Sequence, residues 1–325
     1  MRIGWLSSGH DDAASTLLRE VVRRARRDGI DLDIAVVFCD RERGEQPESD
    51  TFLDLVSDLG LPVATLSSAA SWQDWRERRD TLADRRFANR AAIREAWRGA
   101  FHDEVTGLLE SYDVDLLVLA GYMLITSPDM CVRYAILNLH PALPGGPQGT
   151  WQQVIWRLLA DEADETGAMI HLATAELDSG PVVAYCSFPI VGLRWDRLWH
   201  AFRRRRDELG LDALAAAEGE CQPLFAEIRR QGERREIPLL YRTIREFAEE
   251  HLVVRAGEIV GVTVEPPLTL TPEVEAELAA DEREAGTDTE SSTDTDAGAG
   301  TDGGAGTDGG AGTDGGAGTG QESSQ

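Results

Sequence analysis

Lysine is missing from all 325 residues, so every basic side chain other than histidine is an arginine. Acids outnumber bases 58 to 32, giving a formal net charge of -26. General nucleic-acid binding needs basic stripes that displace phosphate counterions, and this balance argues against it. The acidic surface suits a soluble chain kept dispersed by self-repulsion. Cysteine is scarce as well. The four present, Cys39, Cys131, Cys186 and Cys221, form no C-x-x-C pair and are expected to be buried free thiols of a reducing compartment. No run approaches about 18 apolar residues, and no charged-then-apolar leader opens the chain, so neither a membrane span nor a signal peptide is expected. The expected location is the cytoplasm.

What is present divides into three parts. Hydrophobic residues make up 42% of the chain, enough for a sizeable core. From about residue 283 only alanine remains of them, and three copies of Thr-Asp-Gly-Gly-Ala-Gly run from Thr301 to Gly318. Repeats with no side chain larger than threonine cannot stack on a core, so 283–325 is expected to be a disordered acidic tail. Residues 1–192 alternate apolar strand patterns with helical ones, and 193–282 reads as a helical, arginine-rich extension with a small hairpin around Ala256-Gly257.

The alternation predicts strands at 2–6, 32–38, 61–65, 115–120, 135–139, 168–173 and 182–189, with helices between them. Asp115-Leu-Leu-Val-Leu-Ala120 is almost purely apolar, as a strand covered by helices on both faces should be. The fold class expected is α/β: a Rossmann-like, mostly parallel sheet flanked by helices, with a C-terminal α(+β) extension and the tail. Ligands in such folds bind outside the carboxyl ends of the strands. Two loops leave those ends: Ser8-Gly-His-Asp-Asp12, and Asn138-Leu-His-Pro-Ala-Leu-Pro-Gly-Gly146.

Asn138 and His140, two residues apart, point the same way if strand geometry continues. Asp178 sits in the polar loop Ala175-Glu-Leu-Asp-Ser-Gly-Pro181. A carboxylate beside an imidazole orients it and favours its charged form, and an amide can donate to an oxygen that becomes negative. These groups suit acyl transfer to an amine. A structural histidine beside a turn-forming aspartate has the same spacing.

Three segments in order carry a more specific signal: Asp115-Leu-Leu-Val-Leu-Ala-Gly-Tyr-Met-Leu-Ile-Thr-Ser-Pro128, Leu137-Asn-Leu-His-Pro-Ala-Leu-Pro144 and Thr166–Val183. Together they resemble the folate-dependent formyltransferase family, most of all the branch that formylates glycinamide ribonucleotide. The resemblance covers roughly 1–190 and implies 10-formyltetrahydrofolate as co-substrate, a small amine acceptor that can carry a phosphate, and no metal. It implies catalytic roles for Asn138, His140 and Asp178. His140 and Asn138 would stabilise the tetrahedral oxyanion, and Asp178 would keep His140 charged and help a water relay the proton. Tyr122, Met123, Leu124, Ile125 and Thr126 would line the pterin pocket with Thr174 and Leu177. Gly9, His10, Arg94 and His171 are the candidate acceptor-side residues, whereas His102, His200 and His251 are expected at the surface.

The departures concern the acceptor. The family's phosphate-cradling first loop is here Ser8-Gly-His-Asp-Asp-Ala-Ala14, in which Asp11 and Asp12 would repel a phosphate unless they point away. Gly145-Gly-Pro-Gln-Gly-Thr-Trp151 leans towards relatives that act on aminoacyl groups or amino sugars. The alternatives are therefore another amine, hydrolysis of the formyl donor, or a non-catalytic α/β binding module. Composition and spacing leave the oligomeric state undetermined.

Overall fold

The computed structural model of the chain describes residues 1–81 and 90–291. The first part runs β1 (Arg2–Ser7), α1 (Asp12–Asp28), β2 (Asp33–Cys39), α2 (Pro47–Asp58), β3 (Val63–Thr65), α3 (Ser68–Thr81) and α4 (Arg90–Leu109). Next come β4 (Leu116–Leu119), α5 (Pro128–Arg133), β5 (Ile136–His140), α6 (Trp151–Ala160), β6 (Glu165–Leu172) and β7 (Val182–Pro189). The remainder is α7 (Leu193–Leu209), α8 (Leu211–Glu218), α9 (Pro223–Ala248), β8 (Leu252–Arg255), β9 (Glu258–Gly261), β10 (Leu268–Thr269) and α10 (Thr271–Ser291). Residues 82–89, within the helical stretch expected before Ser111, and the repeats of the tail lie outside the described residues.

One eight-stranded sheet runs in the order β10-β7-β6-β5-β4-β1-β2-β3. The β5/β6 and β6/β7 pairs are antiparallel, and the other neighbours are parallel. The mostly parallel α/β sheet expected from the alternation is therefore present. Strand order reverses between β1 and β4, so their carboxyl ends open a crevice. There the Ser8 amide donates to the Gly121 carbonyl at 2.9 Å, and the Met123 amide donates to Ser8 Oγ at 3.0 Å.

β4 explains the layering. All four of its residues are buried, and alternate ones enter different cores. Leu116 and Val118 pack with α1, α2 and α9, whereas Leu117 and Leu119 pack with Trp97, Phe101 and Val105 of α4. Each such leucine contributes about 1.5–3 kcal/mol by leaving water. A third cluster joins α6 and β7 to Trp195, Trp199 and Phe202 of α7 and to Phe225 and Ile228 of α9.

α9 packs against α1, β6 and β7, and Met1–Ala280 forms one compact unit; the chain from Asp281 onward forms a second. β8 and β9 make the small hairpin around Ala256 and Gly257, both at positive φ. α10 runs past residue 283 to Ser291. All four cysteines are free, but Cys39 and Cys186 alone are fully buried: Cys131 is half-buried and Cys221 is exposed, correcting the expectation of four buried thiols. No helix among the described residues is long and apolar enough to cross a membrane.

Tyr241 ties α9 to α1 through a hydroxyl that donates to Asp28 Oδ2 at 2.6 Å. Hydrogen bonds from Arg27 and then Tyr241 lower the Asp28 carboxyl from 3.8 to about 2. A depressed carboxyl stabilises the fold above its unfolded value and loses that contribution as pH falls through the folded one. Tyr241→Phe should cost about 1 kcal/mol at pH 7. The deficit, followed by urea unfolding, should shrink as pH falls from about 4 towards 2.

Candidate active site

β5 delivers two side chains to the mouth of the crevice. Asn138 and His140 both line one cavity of about 450 Å³, as the i, i+2 spacing predicts. Asp178 reaches the same place from the β6–β7 loop. His140 Nδ1 lies 3.6 Å from Asp178 Oδ2, and these side chains are only 4% and 6% exposed. Groups so shielded from water sit in a low dielectric, where any charge acts strongly on a neighbouring atom.

The Asp178 backbone stands at φ 50°, in the left-handed region that aspartate visits more readily than most residues, and here its surroundings hold it. Two contacts do so. Gly149 donates its amide to Asp178 Oδ2 at 3.2 Å, and the loop closes so tightly behind it that a Cβ on Gly180 would sit 1.7 Å from the Leu172 carbonyl oxygen. Only glycine fits there. On the other side, His140 Nε2 donates to the Pro147 carbonyl at 2.9 Å. The Gly145–Gly149 segment thus holds both the imidazole and the carboxylate, and Gln148 Nε2 reaches Ser179 Oγ at 3.2 Å across the same seam.

His171 stands directly opposite Asn138 in the antiparallel β5/β6 register. Its Nδ1 donates to the Leu172 carbonyl at 3.0 Å, so in the neutral ring Nε2 is an acceptor. Asn138 Nδ2 donates to that nitrogen at 3.0 Å. Burial lowers the His171 pKa below the ordinary histidine value; the Leu172 carbonyl and Asp178 oppose the shift. A neutral His171 therefore fixes the Asn138 amide and leaves its second N–H free.

The apolar wall comes from the loop after β4. Met123 and Ile125, with Leu177 from the opposite loop, line the cavity while 46%, 43% and 46% exposed, so apolar surface stays open to it. Tyr122, Leu124, Thr126 and Thr174 complete it. The Tyr122 hydroxyl donates to His102 Nε2 at 3.2 Å, and His102 Nδ1 donates to the Arg98 carbonyl at 2.8 Å. His102, expected at the surface, is fully buried.

His10 and His171 line the same cavity, but Gly9 and Arg94 do not. Gly9 is buried at φ 55°, and a Cβ there would meet Phe52 at 2.8 Å, so it serves the turn that leads into α1. Arg94 is exposed on α4. Asp11, already noted in the first loop, stands on the wall, and so do three residues that sequence reading did not place there: Trp151, Arg229 and Glu236. Two of them come from α9, far along the chain, and no local pattern announces that a helical extension will fold back onto the site. No group of three or more His, Cys, Asp or Glu placed to hold a metal ion occurs among the described residues.

The family model described as formyl transferase matches residues 1–194. The chain belongs to the formyl transferase family. It is 35% identical over 95 residues to phosphoribosylglycinamide formyltransferase of Escherichia coli, covering 29% of this chain and 44% of that protein. It is 37% identical over 81 residues to formyltetrahydrofolate deformylase of Synechocystis, covering 23% and 26%. The matched stretches thus span less than half of these relatives. Among solved structures, glycinamide ribonucleotide transformylase 1 of Symbiobacterium toebii superposes with a TM-score of 0.51 at 22% identity, covering 80% of this chain and 93% of that one. At that identity the likeness is one of fold.

In this formyl transferase, His171→Gln should flatten the pH dependence of stability. A histidine kept neutral by burial stabilises the fold above its unfolded pKa, about 6.5, and loses that contribution as pH falls below it. Chemical unfolding of the wild type between pH 7 and 5 should show a steeper loss than the variant.

Proposed function

We propose that the chain transfers the formyl group of 10-formyltetrahydrofolate to a small amine, with glycinamide ribonucleotide of purine synthesis as the first acceptor to test. The observation that carries the chemistry is the convergence of Asn138, His140 and Asp178 at a cavity with an apolar wall. The names of the curated relatives support the acceptor.

The residues fit the folate donor. Met123, Ile125 and Leu177 offer half-exposed apolar surface for a flat heteroaromatic ring beside His140. The donor supplies an activated formyl carbonyl. As an amine adds to that carbon, negative charge gathers on its oxygen. The free N–H of Asn138 and the protonated His140 would face that oxygen, and Asp178 would balance the imidazolium and steer the proton taken from the amine. For His140 to reach it, Nε2 must leave the Pro147 carbonyl.

A second reading has one specific support, the partial match to a formyltetrahydrofolate deformylase. Water would then replace the amine and formate would be released. Following tetrahydrofolate, formylated amine and formate in one reaction separates the two. The expected outcome is amine-dependent tetrahydrofolate release, reduced about 10²–10⁴-fold in His140→Ala and about 10²–10³-fold in Asn138→Ala. Undiminished turnover in His140→Ala would defeat the mechanism.

A further inference from the structure

The polar wall of the cavity has a composition unlike a phosphate site. Asp11 comes from the β1–α1 loop, and Arg229 and Glu236 come from α9. Arg229 is the cavity's one arginine and is already engaged. Its Nε lies 2.9 Å from Glu233, its Nη1 lies 2.8 Å from Glu236, and its guanidinium carbon stands 4.6 Å over the Trp151 ring. Glu236 is 7% exposed, so its pairing is shielded from solvent. Burial raises the Glu233 carboxyl against the pull of Arg229, and the charges of Glu236 and Asp11 add to the rise. Glu233 and Glu236 therefore share one guanidinium, Asp11 Oδ2 lies 3.1 Å from His10 Nε2 instead, and a dianion would meet three carboxylates beside a single arginine.

The start of α1 offers no relief. Helix N-termini ordinarily attract phosphate through free N–H groups. Here Asp11 is the N-cap and takes the Ala14 amide at 2.9 Å, while Asp12 occupies the first turn. An anion approaching this helix meets carboxylates first. A hydroxyl-bearing ligand meets the opposite situation. Carboxylates of Asp11 and Glu236 line the cavity, and their oxygens can accept from hydroxyls.

Resting on the formyl-transfer reading, we propose that this wall grips the hydroxyls of a sugar-like amine and rejects a phosphate. The acceptor class is then a glycosylated amine whose sugar enters unphosphorylated.

The test compares glycinamide ribonucleotide with its dephosphorylated ribonucleoside as acceptors for 10-formyltetrahydrofolate. The ribonucleoside should show at least about tenfold higher kcat/KM at low salt, with the gap narrowing as added salt screens the carboxylates. Asp11→Asn keeps a capping side chain while removing the charge, and it should improve the ribonucleotide about tenfold relative to the ribonucleoside. Glu236→Gln should act in the same direction. A wild-type preference for the ribonucleotide overturns the proposal, as does a ribonucleoside that is not formylated while another amine is. Formate release alone, abolished in His140→Ala, would overturn it together with amine transfer. Absence of donor turnover under every condition would instead sink the formyl chemistry on which it rests.

Discussion

The antiparallel pairing of β5 with β6 is the constraint on which the site depends. In an otherwise mostly parallel sheet this switch sets His171 across from Asn138, and a one-residue slip of either strand would turn its side chain to the other face. The same strand leads directly into the loop that carries Asp178. Gly180, with no Cβ, lies against the carbonyl of Leu172, the last residue of β6, and the Leu172 amide donates to the Pro181 carbonyl at 2.9 Å. Packing of backbone on backbone thus sets the position of a carboxylate that must face His140.

α9 links stability to the site. Leu239, Leu240, Ile244 and Phe247 fill the core shared with α1 and the sheet, while Arg229 and Glu236, nearer the start of the helix, reach the cavity. Arg235 lies over Phe188 at 4.2 Å and pairs with Glu275, and Arg242 pairs with Glu277, so the first turns of α10 are bound to the same helix. A helix held along both flanks gives its cavity residues a fixed origin. Rigid first contacts of this kind suit a specificity wall better than a surface loop would.

Much of this was legible in the sequence because the relevant signals are local. The apolar run at Leu116–Leu119 announced a strand buried on both faces, and the alternation announced the mostly parallel sheet. Asn138 and His140 stand two residues apart on one strand, so their shared direction followed from the pleat. The place of Asp178 needed a family resemblance, since a left-handed aspartate in a polar loop has no period to read. His102 misled because a charged helix hides one buried face, and its partners, Arg98 and Tyr122, are one helical turn and one whole strand away. The cavity residues of α9 were illegible for a plainer reason. Their pattern says helix and says nothing about which distant loop that helix will meet.

The missing lysine has a chemical meaning beyond charge. A free primary amine can attack an activated formyl carbon, and a lysine on the cavity wall would compete with the acceptor and be capped in the process. Arg229 provides positive charge there through a guanidinium, which stays protonated and is a poor nucleophile. No side chain in this protein carries a primary amine at all. Under the formyl-transfer reading, no side-chain amine of this chain competes with the acceptor for the formyl group.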